Sequence, residues 1–218
     1  MTRYSALSQK EFDAHIRNGT CRLSFVGMSN CGKSYRARVL RDQCDFLLYS
    51  VDDEIIKELG FKDMDEISTW MGYPSSPGYT EREAQYLELE GVFTKEAAMK
   101  THGRNLVFDT TGSVAQLSDK VLEALDEHTL IVHIDVGEGA LSSLMERFFK
   151  EPKPVAWGEY FTMQPGESEE AALRRSYPTL LHERLKHYRA LAHVNIPAQK
   201  LYNSSGEETL AAIRSYLV

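Results

Sequence analysis

The stretch GMSNCGKS at 27–34 limits the fold more than any other part of the chain. It stands between the apolar run CRLSFV (21–26) and the helical pattern YRARVL (35–40). Gly27, Gly32, Lys33 and Ser34 satisfy the spacing Gly, four residues, Gly, Lys, Ser of a Walker A loop. A strand, a glycine-rich turn and a helix in this order suit a parallel sheet, whose strands are joined by helical crossovers. The same alternation continues, with strands expected at about 21–26, 45–50, 104–109, 129–135 and 193–196. Helices are expected at about 33–43, 52–59, 80–101, 114–126, 138–149, 168–191 and 206–217. The fold class is therefore α/β, a five-stranded parallel sheet flanked by helices. A chain of 218 residues is one domain's worth. We read it as 21–218, preceded by a helical extension over 1–20.

A turn of this kind aims successive backbone N–H groups inward, and the helix that follows adds partial positive charge. Residues Gly27, Met28, Ser29, Asn30, Cys31, Gly32, Lys33, Ser34 and Tyr35 are thus expected to hold the phosphates of ATP. Lys33 reaches the β and γ phosphates and Ser34 ligates Mg²⁺. In NLVFDTTGS, Asp109 ends an apolar run beside a turn, where a carboxylate supports the same metal. After the strand ending near Ser50, the tandem acids Asp52 and Asp53 open a helix. One could cap free N–H groups, and the other could orient an attacking hydroxyl and accept its proton. Cys31 reads as a small filler of the loop, although a helix N-terminus could depress its pKa and make it sensitive to oxidation.

Two stretches interrupt the alternation: STWMGYPSSPGYT (68–80) and KEPKPVAWGEYFTMQPGESEE (150–170). Loops of this length inside a compact domain are usually lids or binding loops. The second is read as a lid over about 150–170, with Arg147, Lys150 or Lys153 closing on a transferring phosphoryl group. Trp157, Tyr160 and Phe161 either shield the site or pack into the core. The region 61–101 is read as the substrate-binding part.

The net charge is −7, from 25 Lys plus Arg against 32 Asp plus Glu, which disfavours a nucleic-acid partner. No apolar window reaches the roughly 18–20 residues of a membrane span, and the first residues lack a signal peptide's apolar core. Three cysteines without metal-ligand spacing suit a reducing compartment. The expectation is a cytoplasmic protein with no membrane contact, a monomer or weak dimer.

With these pieces in place, the chain from about residue 21 to 218 resembles the shikimate kinase family of P-loop kinases. SVDDEIIKELG matches the family's Asp-x-Asp frame when Gly60 is aligned, which puts Asp52 at the second acidic position, the one that contacts substrate hydroxyls. Arg184, Tyr188 and Ala192 repeat the family's spacing before the last strand, and the resemblance assigns Arg184 to a substrate carboxylate. It likewise implies substrate contacts for Glu90 and Gly112. Four positions depart: Ser50 replaces the first acid, Leu87 replaces a carboxylate-binding arginine, TTGS keeps only Gly112 of three glycines, and Lys153-Pro154 replaces Arg-Pro. Arg82 lies five positions before Leu87 and would face elsewhere on a regular helix.

These readings lead to transfer of the γ-phosphate of ATP to a hydroxyl of a small metabolite, with a shikimate-like acceptor as one candidate. One rival is a nucleotide or nucleoside kinase, with Trp70 and Tyr73 stacking on a base and Glu88 or Glu90 accepting from it. Another is a P-loop switch that signals to a protein partner. A kinase acting on RNA ends fits the acidic balance least.

Overall fold

The computed structural model describes residue 4 and residues 7–100, 103–151 and 153–218. Parts of the N-terminal extension (1–3, 5 and 6), the expected end of the 80–101 helix (101) and lid position 152 lie outside the described residues. Nine α-helices and five strands alternate along these residues. They are α1 (Gln9–Arg17), β1 (Arg22–Val26), α2 (Lys33–Cys44), β2 (Leu47–Ser50), α3 (Val51–Leu59), α4 (Met64–Met71) and α5 (Tyr79–Met99). After these come β3 (Leu106–Asp109), α6 (Asp119–His128), β4 (Leu130–Asp135), α7 (Leu141–Lys150), α8 (Glu169–Leu191), β5 (Val194–Pro197) and α9 (Gly206–Ser215).

The sheet is wholly parallel, in the order β2-β3-β1-β4-β5. From the central β1 the chain crosses to the edge strand β2, returns to β3 between them, and then crosses to the other side of β1 for β4 and β5. A parallel sheet that reverses its winding in this way opens a crevice at the carboxyl ends of its central strands. Register places the key positions at that edge: Phe25 lies opposite Asp109, and Asp109 opposite Ser50. The loop after β1, the end of β3 and the start of α3 therefore meet.

Strand residues alternate between two cores. Leu23 and Phe25 of β1, with Leu130, Val132 and Ile134 of β4, face a cluster that includes Ala37 and Leu40 of α2 and Ile213 of α9. Val26 and Ile131 face the opposite cluster, with Val51, Ile67, Leu125 and Leu180 from α3, α4, α6 and α8. The expected N-terminal extension belongs to the first core. Its α1 opens with a capping box between Ser8 and Glu11, and Phe12 is 1% exposed. Asn105 ties its end to the sheet, donating to the Ile16 carbonyl and accepting from the Cys21 N–H.

Three expectations change. Residues 64–71, partly read as a loop, form α4, because the Asp63 carboxylate caps the N–H groups of Asp65 and Glu66 while Ile67 and Met71 are buried. The expected helix at 114–126 is a 3-10 turn at Val114–Gln116 and then α6, which starts after Ser118. The stretch 150–170 is not a free lid. Val155, Ala156 and Trp157 are buried, with Trp157 packed against Phe148, Phe161 and Tyr177. Removing a buried tryptophan from such a setting costs about 3–5 kcal/mol, so this anchor holds the loop down. No helix among the described residues is long and apolar enough to cross a membrane.

Candidate active site

The loop after β1 turns because two of its glycines can do what other residues cannot. Gly27 has φ 144°, and a Cβ there would come within 3.0 Å of the Ile134 carbonyl. Gly32 has φ 104° and starts α2. Between them Asn30 also takes a left-handed conformation, at φ 64°. Lys33 is 6% exposed, and its Nζ donates to the carbonyls of Gly27 (2.8 Å) and Met28 (3.1 Å). The ammonium is thus held over the loop by contacts that an anion can replace. Cys31 lies in the loop with its thiol pKa pushed up by burial, which outweighs the attraction of Lys33. The expected depression by the helix terminus does not occur.

Asp109 stands at the end of β3 beneath this loop, 6% exposed, and among the described residues its Oδ1 has no hydrogen-bond partner. Burial raises its pKa, opposed by Lys33 and the adjacent Ser34 hydroxyl. An orphaned buried carboxylate oxygen beside a serine hydroxyl is a donor set that suits a hard divalent cation, so Ser34 and Asp109 fit Mg²⁺.

The tandem acids divide their roles through Ser50. Its Oγ accepts from the Asp53 N–H (3.2 Å) and caps α3, so neither carboxylate is needed for that task. Asp53 is exposed, whereas Asp52 lines the cleft with Lys33 and Ser34. Asp52 has its pKa raised to about 6, first by burial and then by the neighbouring Asp109 charge, against the pull of Lys33 and Lys153. Tyr86 lines the same cleft, with its hydroxyl beside Asp52 and its phenol pushed well above the ordinary value by burial.

Arg184 closes the far side. It is 5% exposed, and it donates through Nε (3.1 Å) and Nη2 (2.6 Å) to Gln116 and through Nη2 (2.9 Å) to the Ala156 carbonyl. Among the described residues no carboxylate pairs with it, so a buried cation faces the cleft without a counter-charge. Tyr188, one turn along α8, donates to the Gly112 carbonyl. A Cβ at Gly112 would lie 2.8 Å from Ser29 Oγ, so a side chain there would displace that hydroxyl. Lys153 reaches in from the loop after α7 and donates to Asn30 Oδ1 (3.0 Å).

Besides Asp53, two other expected residues lie elsewhere. Glu90 is fully buried and does not line the cleft. Both its oxygens are taken, one by Thr111 and the other by Ser113 (2.6 Å), and burial raises its pKa to about 7. It braces the turn after β3. Arg147 is exposed, 4.0 Å from Glu151, and is not among the residues that line the cleft. Leu87 lines a separate outer groove, and Arg82 Nε donates to the Met71 carbonyl (3.1 Å). Trp70 packs on Phe61 at 5.7 Å between ring centroids.

On the other side of the loop from this small polar chamber is a groove of about 650 Å³, and Asn30 borders both. Tyr35, Arg36, Val136, Ala198 and Tyr202 are among its walls. Sequence reasoning reached only Tyr35 and the loop residues here. The segment after β5 carries no motif, and its place follows from sheet order alone.

No protein-family model and no curated protein sequence matches the chain. Solved structures do. The shikimate kinase of Acinetobacter baumannii in complex with shikimate is 20% identical with a TM-score of 0.63, covering 94% of this chain and 97% of that one. The shikimate kinase of Bacteroides thetaiotaomicron is 18% identical with a TM-score of 0.59, covering 89% and 97%. That of Aquifex aeolicus is 20% identical with a TM-score of 0.54, covering 87% and 91%. The chain has the fold of the shikimate kinases. The likeness at these identities is one of architecture: the five-stranded parallel sheet flanked by helices, as the sequence led us to expect.

Proposed function

We propose that this chain is an ATP-dependent phosphotransferase that acts on a hydroxyl of a small cytoplasmic metabolite carrying an anionic group. The observation that carries this reading is the chamber beside the loop. It joins an unpaired buried arginine to a base with its pKa at about 6, and behind its wall the Ser34 hydroxyl meets the orphaned, metal-suited carboxylate of Asp109. The loop amides and Lys33 would hold the β and γ phosphates, with the nucleotide's base in the 650 Å³ groove. Ser34 and Asp109 would hold Mg²⁺, which when bound draws charge from the phosphate oxygens. Arg184 would fix the acceptor's anionic group and so direct its hydroxyl toward Asp52. As the acceptor oxygen bonds to the γ-phosphorus, the bridge to the β-phosphate breaks and Asp52 takes the hydroxyl proton. Lys153, already at Asn30, would neutralise charge on the moving group.

A shikimate-like hydroxy acid suits this arrangement. A nucleoside acceptor suits it less, because Trp70 packs on Phe61 and neither it nor Tyr73 lines the chamber. The test is ADP release from Mg-ATP against a panel of hydroxylated acids, polyols and nucleosides, shikimate among them. The expected result is slow hydrolysis alone and at least tenfold faster turnover with one hydroxy acid. Rapid hydrolysis that no acceptor changes would overturn the proposal, and nucleotide binding without any turnover would favour a switch.

A further inference from the structure

The loop that carries Lys153 returns to the body at Trp157-Gly158, and the way it is fastened bears on Arg184. Trp157 has right-handed helical angles (φ −85°, ψ −35°) and Gly158 left-handed ones (φ 55°). Successive residues in this alternation turn their N–H groups toward one point and form a small anion-binding concavity. The anion is Glu83 of α5. Its Oε1 accepts from the Trp157 N–H at 2.5 Å and the Gly158 N–H at 3.0 Å.

Tyr79, one turn earlier on the same helix, completes the clamp. Its hydroxyl lies 2.6 Å from Glu83 Oε1 and 2.8 Å from the Val155 carbonyl, and it receives the Trp157 N–H at 3.2 Å. Held between these contacts is Ala156, whose carbonyl accepts from Arg184 Nη2 at 2.9 Å. The guanidinium's other anchor, Gln116, sits on the turn before α6. An arginine with Nε and Nη2 pinned has one free edge, and Nη1 is that edge.

We propose that Glu83 is a positioning residue of the acceptor site: by gripping the Trp157-Gly158 amides it fixes the Ala156 carbonyl, which aims Arg184 into the cleft. Charge-assisted bonds from two adjacent amides make this grip stronger than one neutral contact. Gly158 is required because another residue at its left-handed angles would be strained. The proposal rests on the kinase reading for the word acceptor, but the geometry of Arg184 can be measured without turnover.

The experiment compares the full-length wild type, Glu83→Ala and Glu83→Gln by NMR, following the Trp157 and Gly158 amides and the Arg184 Nε–H in arginine-labelled protein. In Glu83→Ala the two amides should exchange on the order of ten- to a hundredfold faster, and the Arg184 Nε–H should broaden or shift. Glu83→Gln keeps a carbonyl oxygen for the amides and should restore most of the wild-type signal. Mg-ATP affinity, measured by calorimetry, should be equal in all three and shows that the alanine variant is folded. If a hydroxy acid turns over, Glu83→Ala should raise its KM about tenfold or more while the KM for ATP stays put. Unchanged amide exchange and an unchanged Arg184 signal in Glu83→Ala would overturn the proposal. So would failure of Glu83→Gln to restore either one. Failure of the acceptor panel would instead count against the kinase reading and leave the NMR result to decide this one.

Discussion

Replacing Asp52 by Asn should make the protein more stable and less active at the same time. The carboxyl's pKa is raised from 3.8 to about 6, by burial and by Asp109 at close range. Two units correspond to about 3 kcal/mol spent in ionising it within the folded chain, at 1.36 kcal/mol per unit. A raised folded-state pKa means that the folded chain holds the proton more tightly than the unfolded one, so stability is full below about pH 4 and falls as pH rises to about 6. Above that the loss is constant. An amide carries no charge at any of these pH values, so Asp52→Asn escapes the loss. Thermal denaturation should place the variant roughly 6–12 °C above the wild type at pH 7.5, taking 2–4 °C per kcal/mol for a domain of this size. The gap should close toward pH 4. Turnover by the wild type should show an acid limb near pH 6, with about nine-tenths of Asp52 ionised at pH 7 and about a tenth at pH 5. A variant no more stable than the wild type at pH 7.5, or a stability gain that persists unchanged at pH 4, would refute the reasoning. So would a variant that keeps full turnover.

Three other outcomes follow from the same geometry. Lys33→Ala should abolish measurable Mg-ATP binding by calorimetry, since its ammonium is the cation held over the loop carbonyls; intact affinity would remove the nucleotide site. Arg184→Ala should lower kcat/KM for the acceptor by about thirtyfold to several thousandfold, the cost of about 2–5 kcal/mol for stripping one partner from a buried ion pair, with ATP binding retained. Arg184→Lys should not rescue it, because a lysine cannot keep both the Gln116 and Ala156 contacts. Alkylation of Cys31 should be slow at pH 7.5, because burial raises its pKa, and should be blocked by Mg-ATP. Fast labelling, or unchanged nucleotide affinity in labelled protein, would contradict its place at the groove.

The sequence displayed the parts whose chemistry is local. Gly27, Gly32, Lys33 and Ser34 make a turn that needs those residue types at that spacing, and the flanking runs gave every strand to within about two residues. Asp109 was legible because an apolar run ending in Asp beside a turn puts a carboxylate at a sheet edge. What could not be read depended on contacts between distant segments. Ser50 caps α3, which frees Asp52 for the cleft, and only the fold separates it from Asp53. Glu83 meets the Trp157-Gly158 amides across 74 and 75 residues of chain. The capping of α4 by Asp63 went unread, because the Gly- and Pro-rich residues after Trp70 drew 68–80 into a loop.

The departures from the shikimate kinase pattern make sense together rather than one by one. With Leu87 where that family has arginine, Glu90 has no cation beside it on its own helix, and its oxygens turn to Thr111 and Ser113. That consumes Glu90 as a brace for the turn and leaves the chamber with Arg184 as its one deeply buried cation besides Lys33. Arg82 cannot substitute, being tied to the Met71 carbonyl. On the proposed reading, then, an acceptor is held by a single guanidinium at one end and by Asp52 with Tyr86 at the other. With Nε and Nη2 engaged, the free Nη1 fixes an anion's position but not its rotation, and the remaining discrimination falls to hydroxyl contacts with Tyr86, Thr110 and Ser113, all of which line the chamber. Such a site should tolerate changes to the acceptor's anionic group more readily than changes to the stereochemistry of its hydroxyls, since a buried hydroxyl left unpaired costs about 1–3 kcal/mol at each position.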